Sequence, residues 1–334
     1  MSSMTATLSS AGSRFFGKGA TSINPGLVAA LIVIFVFLSF YSPFFLSTSN
    51  LLNILKGVVV IGIASAGETV VIISGGFDLS VGSTAAAAGM LAAYMLEIGA
   101  GIWIAFLLAI VVGIVVGIVN GTIISYFHIN PLITTLGMLS IVRGLAFVIS
   151  GGREIVVKDE AWLELGKGAL FEDSLAPGIP WIVIIAIATF VVIGLAMPRT
   201  PFGRYAYAIG SNIRAARLSG VSVNRWRLSF YVVCGMTAAL AGLVLTARTG
   251  SARVLSSQTF ELDVITAVIL GGASLSGGRG TLWGTLIGLL LIGVINNGMI
   301  LSQVPAFWQL VVKGSILLAA VLYDEFRRQR RDDT

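Results

Sequence analysis

A few polar residues interrupt long apolar stretches, and these are the positions at which the sequence could carry chemistry. Glu68 lies deep in one such stretch, Asp78 follows the next Gly-Gly pair, and Asn120 lies in a third stretch. Ionisable groups are costly in apolar surroundings, so each is a functional candidate. Glu68 could accept hydrogen bonds from a hydroxylated solute in a water-filled pathway, or it could pair with a neighbouring helix. We assign Glu68, Asp78 and Asn120 as candidate pathway residues and leave both roles open.

The sequence offers little for metal, redox or nucleotide chemistry. His128 is the only histidine, and Cys234 is the only cysteine, so no intrachain disulfide can form. The segment Gly12–Gly19 approaches a phosphate-binding loop, but glycine occupies the required Ser/Thr position and no strand precedes it. We therefore expect no catalytic residue, no metal and no cofactor in this chain.

The composition indicates whether the segments that position these residues lie in water or in a lipid bilayer. Of the 334 residues, 56% are apolar and only 11% are charged, whereas soluble domains average about 25% charged residues. This excludes an ordinary soluble protein, so we expect the chain to lie in a bilayer. The length leaves room for about ten helices of the roughly 20 residues that a bilayer requires.

The distribution of charge predicts the topology. Residues 1–26 and 199–227 contain basic residues and no acid, whereas residues 151–178 contain six acids and three bases. The positive-inside rule then places the first two segments in the cytoplasm and the third outside. Because the basic residues lie in these loops and in the tail, the net charge of +6 does not indicate nucleic acid.

The apolar runs complete the predicted fold. They lie at about 27–45, 51–73, 79–97, 101–127, 131–150, 179–197, 228–247, 262–278, 281–301 and 306–323. We predict an all-α integral membrane protein of about ten transmembrane helices with both termini cytoplasmic. Its parts are an N-terminal segment 1–26, which is not a cleavable signal peptide, a membrane domain 27–323 and a tail 324–334.

The chain also repeats itself. Residues 73–83 and 269–279 are identical at six of eleven positions, which indicates two diverged copies of a multi-helix unit. Their relative orientation stays open. The shared small residues form a structural motif: Gly75, Gly76, Ser80 and Gly82 in the first copy, and Gly271, Gly272, Ser276 and Gly278 in the second.

Several other polar residues have structural interpretations. Asp78 and Ser80 could cap the helix that follows them, and Glu261 and Asp263 could do the same at the outer end of a later span. For Arg143, in the fifth span, we expect a structural ion pair. Small residues within 84–93 and 113–121 favour close helix packing.

The arginine-rich segment 199–227 predicts a short helix. Ser211 or Asn212 can cap it, it runs through residues 213–219, and Gly220 ends it. Ala215 and Ala216 would let it lie in a groove on a partner, while Arg214 and Arg217 pair with acids there. The alternative is a basic loop that binds lipid head groups.

Together these motifs resemble the membrane permease of ribose-type sugar ABC importers. The matching segments run in the family's order across nearly the whole chain: Gly75–Ser83, Pro131–Gly144, Phe202–Tyr205, Ala216–Val221, Glu261–Asp263 and Gly271–Gly280. The sequence departs from the family at Glu68, where Met or Gln is more common. It also has Arg214 in the Glu position of the Glu-Ala-Ala-x3-Gly loop of ABC permeases.

The resemblance implies a permease subunit in a bacterial plasma membrane that translocates a monosaccharide or related polyol. It implies three partners: a cytoplasmic ATPase that hydrolyses the ATP, an extracytoplasmic sugar-binding protein, and a second permease, identical or homologous. The implied ATPase contact comprises Arg204, Ser211, Asn212, Arg214, Ala215, Ala216, Arg217 and Gly220. The rival hypotheses are an ion-coupled transporter using Glu68 or Asp78, and a membrane-embedded transferase, for which the required acidic motif is missing.

Overall fold

The computed structural model describes residues 25–171 and 178–332, the last six of these by backbone only. Most of the expected N-terminal segment 1–26 lies outside the described residues. So do Glu172 and Asp173 of the acidic loop and the arginine side chains of the tail 324–334.

The described chain is built almost entirely of helices. These are α1 (Pro25–Tyr41), α2 (Thr48–Ile73), α3 (Val81–Glu97), α4 (Ile102–Tyr126), α5 (Pro131–Ser150), α6 (Glu160–Lys167), α7 (Trp181–Arg199), α8 (Pro201–Ser211), α9 (Ile213–Leu218), α10 (Val223–Thr249), α11 (Phe260–Leu270), α12 (Leu282–Leu301) and α13 (Ala306–Asp332). Four two-residue strands, which the sequence did not predict, form two antiparallel pairs: β1 (Ile155–Val156) with β4 (Ser251–Ala252), and β2 (Ala169–Leu170) with β3 (Ile179–Pro180). The predicted all-α class is confirmed.

Seven of the described helices are long and apolar enough to cross a membrane: α2, α4, α5, α7, α10, α12 and α13. An apolar helix also lies in each of the other three predicted segments, but α1 and α3 have 17 residues and α11 has 11. The prediction of a span to residue 278 was wrong, because α11 ends at Leu270. There the chain turns through Gly272, whose φ of +92° is left-handed and favours glycine.

Helix α10 lies at the centre and packs along α2, α3 and α4. Glycines permit this close packing, as the small residues predicted. A Cβ atom at Gly117 of α4 would lie 2.6 Å from the Cα of Val232, and one at Gly89 of α3 would lie 2.9 Å from the Gly242 carbonyl oxygen. Larger side chains would push the helices apart and forfeit their van der Waals contact.

The two ends of the molecule differ in the polar contacts that hold them. At one end, β1 pairs with β4, and Arg253 lies 2.7 Å from the carboxylate of Glu154. The hydrogen bond from Arg253 lowers the pKa of Glu154. At the other end, the Gly278 amide donates to the Ile73 carbonyl (2.8 Å), and the Tyr207 hydroxyl donates to that of Gly280 (2.8 Å). Helix α7 connects the acidic loop at the first end to α8 at the second.

Candidate functional site

The three candidate pathway residues lie in one buried polar cluster. Glu68 is in the C-terminal part of α2, Asp78 is in the loop after it, and Asn120 is on α4. None is more than 1% exposed. The Asn120 side-chain amide donates to the hydroxyl of Ser80 (2.9 Å) and lies 3.3 Å from Asp78 Oδ2. The fold therefore brings together residues that are more than forty positions apart in the sequence.

The loop between α2 and α3 builds this cluster by turning back into the protein. The turn occurs at Gly75, where φ is +76°. The Asp78 amide then donates to Glu68 Oε1 (3.1 Å), which places Asp78 beside a residue ten positions earlier. Consequently α3 begins in the interior of the protein and not at the end of the molecule where α2 terminates.

Helix α10 closes the cluster with two residues that the sequence analysis did not assign to a site. The Cys234 thiol lies 3.3 Å from Glu68 Oε2, to which it donates. The Tyr231 hydroxyl accepts from the Phe77 amide (3.1 Å) and donates to the Phe77 carbonyl (3.2 Å). Since Glu68, Asp78 and Cys234 are all buried, the hydrogen bonds of Glu68 form away from bulk water, where an unmade bond is expensive.

The predicted helix cap at Asp78 and Ser80 was wrong. Asp78 Oδ1 accepts from both the amide (2.8 Å) and the hydroxyl (2.6 Å) of Ser80. Ser80 itself occupies the N-cap position of α3 without a side-chain capping bond. The carboxylate therefore satisfies a donor just ahead of the helix and not one of the helix's own free amides.

A second cluster of charged residues surrounds the start of α11. Glu261 lies 3.6 Å from Arg143 on α5, and Asp263 lies 2.8 Å from Lys313 on α13. The expected ion pair of Arg143 is confirmed. The capping role of Asp263 was wrong, because its carboxylate pairs with Lys313 of another helix, whereas Glu261 pairs with Arg143 and also accepts from its own backbone amide at the start of α11. Sequence spacing could not show this, since the partners lie 50 or more residues away.

The position of this cluster shows how deep inside the protein α11 begins. Arg143 is near the middle of α5, and a Cβ atom added to Gly82, the second residue of α3, would meet Glu261 and the Ser257 carbonyl. Helix α11, about 16 Å long at 1.5 Å per residue, therefore starts inside the protein. Within the described residues, Arg143 Nε and Ser257 Oγ are buried without a hydrogen-bond partner.

The arginine-rich segment forms the short helix predicted for it. Asn212, rather than Ser211, caps α9 by accepting from the amides of Arg214 (3.0 Å) and Ala215 (2.9 Å). Gly220 follows the helix with φ of +81°. Ala216 is buried against the protein's own core (6% exposed), whereas Leu218 is 91% exposed. The surface that α9 offers to a partner therefore centres on Leu218; Arg204, Ser211, Asn212, Arg214, Ala215 and Arg217 are also exposed.

Both glycine motifs meet this segment. A Cβ atom at Gly277 would lie 2.8 Å from the Cα of Gly75 and 2.9 Å from the carbonyl of Gly210 in α8. A cleft of about 420 Å³ lies between them, lined by polar residues that include Ser74, Ser211, Arg214, Arg227 and Ser276. Four other motif glycines make close contacts of their own, Gly76 with Tyr231, Gly82 with Ser257, Gly271 with Thr285, and Gly278 with Ser211, whereas a Cβ atom at Gly272 would meet nothing within 4 Å.

Metal chemistry has no visible centre here. Among the described side chains of residues 25–171 and 178–326, no group of three or more His, Cys, Asp or Glu could hold a metal ion. The two polar clusters can hold the starts of α3 and α11 in place, pair charges between helices and offer polar groups along a path between helices.

Comparison with known proteins gives consistent matches over most of the chain. Residues 50–321 match the family described as the branched-chain amino acid transport system / permease component. The ribose import permease protein of Bacillus subtilis is 42% identical over 90% of this chain and 92% of its own length. The L-arabinose transport system permease protein of Escherichia coli is 37% identical over 99% of both chains, and that organism's ribose import permease protein is 37% identical over 94% and 97%. No solved structure matches.

Proposed function

The chain belongs to the family of branched-chain amino acid transport system permease components, and from this premise we propose that it is the permease subunit of an ATP-driven importer of a monosaccharide or related polyol. The observation that carries the proposal is its similarity to ribose and L-arabinose permeases along nearly their whole lengths. The chain is a multi-pass membrane protein of the bacterial inner membrane and a transport component, not an enzyme. ATP hydrolysis belongs to a separate ATPase subunit.

The complete assembly contains the partners that the resemblance implied. In our proposal the chain crosses the membrane ten times, with α11 covering only part of its crossing, and both termini are cytoplasmic. Segment 199–227 contacts the ATPase, and the acidic loop 151–178 faces the binding protein. A second permease covers exposed apolar residues such as Val148 on α5 and Phe307 on α13, which are 78% and 83% exposed.

Energy coupling starts at α9. A push on this helix reaches α8, whose Gly210 lies against the Ile73 carbonyl and the Gly278 amide. The loop that begins there carries Asp78, and Asp78 is hydrogen-bonded to Ser80 at the start of α3. A continuous set of contacts thus joins the ATPase-facing helix to the interior helix starts, which supports a switch between inward-facing and outward-facing states.

The solute path follows the interior starts of α3 and α11. Glu68, Asp78 and Asn120 have no free surface in this conformation, so in our proposal they act on the path by holding the start of α3, and they meet solute only when the cluster opens. Arg143 Nε and Ser257 Oγ have no hydrogen-bond partner among the described residues. Both atoms are buried in this conformation, so in our proposal they hydrogen-bond to a hydroxylated solute only when the path opens, and bind it weakly.

The ATPase contact can be tested at Leu218. Changing Leu218→Asp places a charge in the proposed contact, so co-purification of the ATPase should fall about tenfold or more, as for loss of a contact residue worth over 1 kcal/mol. Leu255→Asp is the matched control, because Leu255 is a 59% exposed leucine outside the segment. Both variants should keep the thermal unfolding midpoint of the wild type. Normal ATPase recovery with Leu218→Asp would place the contact elsewhere.

Solute class is tested by uptake into vesicles that contain the permease, its ATPase and its binding protein. Radiolabelled ribose and L-arabinose should accumulate when ATP is present, and leucine should not. Accumulation of leucine alone would show an amino acid permease, as the family description reads. Uptake driven by an ion gradient without the ATPase would show a secondary transporter.

A further inference from the structure

A large apolar groove lies between three membrane-spanning helices. Its volume is about 1220 Å³, larger than the roughly 300–1,000 Å³ of most small-molecule sites. The walls are apolar side chains of α2, α7 and α12: Val58, Val59, Ile187, Phe190, Leu286 and Leu289. Such walls give a hydroxylated solute few hydrogen bonds, so the groove is unsuited to the proposed substrate.

One end of the groove is basic. Arg199, the last residue of α7, and Arg204 of α8 both line it and are both exposed. Within the described part of the chain neither arginine forms an ion pair with an acidic side chain. The positive charge at this end therefore lacks its complement inside the protein.

We propose that the groove binds one anionic phospholipid of the membrane. Its acyl chains lie between α2, α7 and α12, and its phosphate lies at Arg199 and Arg204. The three helices are apolar spans, so the groove's walls suit hydrocarbon. The arginines lie where α7 ends, which is the level of the head groups for a helix that spans the bilayer. Basic pockets between helices at the cytoplasmic face are suited to anionic head groups.

The position of the groove connects the lipid to the coupling segment. Asn212, Ala215 and Ala216 line the same groove on the side that faces α9. The bound lipid therefore lies behind α9, on the side away from the exposed Leu218. It packs against a helix that otherwise has few contacts with the membrane domain.

Native mass spectrometry of the purified full-length permease tests the proposal, with dioleoyl phosphatidylglycerol and dioleoyl phosphatidylcholine as probes. The wild type should retain one phosphatidylglycerol with about thirtyfold preference over phosphatidylcholine, as expected for two arginines that each contribute about 1 kcal/mol beside the phosphate. Arg199→Gln combined with Arg204→Gln should abolish the preference. These exposed positions are not part of the core, so the fold should tolerate both changes.

A second variant fills the groove itself. A Cβ atom at Gly194 on the groove wall has nothing within 4 Å, so Gly194→Phe should enter the open space and reduce retention of both lipids about tenfold. Gly137→Phe is the matched control, because Gly137 is an equally open glycine at similar depth on α5, outside the groove. It should retain lipid like the wild type.

Three outcomes would overturn the proposal. Equal retention of the two lipids by the wild type would show no head-group recognition, and unchanged retention by Gly194→Phe would place the lipid elsewhere. A disulfide between Gly194→Cys and Ser13→Cys, in a Cys234→Ser background, would show that the N-terminal segment fills the groove. Lipid retention needs neither ATPase nor solute, so its failure is separate from failure of the uptake proposal.

Discussion

Glu68 illustrates how this protein keeps polar side chains inside apolar helices. Its two carboxylate oxygens accept from the Asp78 amide and the Cys234 thiol. Both partners are donors, so the site suits an acceptor on each side. This chemistry explains why a carboxylate can be kept at a buried position, and it makes cysteine at 234 more than a small space-filling residue.

The variant Glu68→Gln tests this interpretation. The glutamine amide group would present an NH2 to one of the two donors, so we expect a loss of roughly 1–3 kcal/mol in the free energy of unfolding. Thermal unfolding in detergent measures it, with Glu160→Gln as a control that should unfold nearly like the wild type, because Glu160 is exposed and in none of the ion pairs of the described residues. Slower uptake should accompany the lower stability. Slower uptake with unchanged stability would instead show direct contact with the solute in the pathway.

Among the elements, the loops after α2 and after α11 carry the two glycine motifs and are called the glycine loops, and two glycines of the second loop are required for different reasons. Gly277 and Gly272 both have left-handed φ angles, of +81° and +92°. A Cβ atom at Gly277 would also collide with Gly75 and Gly210, whereas one at Gly272 would meet nothing within 4 Å. Substitutions at Gly272 therefore test the backbone strain alone, whereas substitutions at Gly277 test the strain together with the close packing of the two sequence repeats.

We expect Gly272→Ala to cost about 1–2 kcal/mol, the strain of a left-handed residue with a side chain. Gly277→Ala should cost clearly more, because the loops must also move apart. It should also lower ATP-driven uptake more than its stability loss predicts, since it separates α8 from both repeats. Unfolding midpoints and uptake of the two variants check this. Equal effects would mean that the contact between the loops contributes nothing.

The whole molecule has two chemically different ends. Helix α7 separates the acidic loop, held by β1, β4 and the pair Arg253–Glu154, from the arginine-rich segment around α9. Since basic segments stay on the cytoplasmic side, the end with α9 and both glycine loops should face the ATPase. The opposite end should face the binding protein.

Cysteine labelling of intact cells checks this orientation. Single cysteines at Val156 and Leu218, which are 59% and 91% exposed, are introduced in the Cys234→Ser background. Serine can still donate to Glu68, so this background should fold. A membrane-impermeant maleimide should label Val156→Cys directly and Leu218→Cys only after permeabilisation. Direct labelling at Leu218 would reverse the topology and remove the basis for ATPase contact at α9.

The sequence by itself determined the properties that depend on local composition. Hydropathy located the apolar helices, the two candidate caps Ser211 and Asn212 together with Gly220 delimited α9, and the motifs identified the permease family, which the comparisons confirm. The apolar pattern of a helix and the caps at its ends involve residues that are close together in the sequence. A single sequence therefore contains this information.

Tertiary structure alone decided the contacts between distant segments. Only the folded chain shows that Cys234 donates to Glu68, that Glu261 pairs with Arg143, and that Ala216 faces inward while Leu218 faces out. The reason is physical: these outcomes depend on which helices pack together and on how deep each one starts. The half-length α11 begins beside the middle of α5, and no local pattern in residues 260–270 encodes that depth.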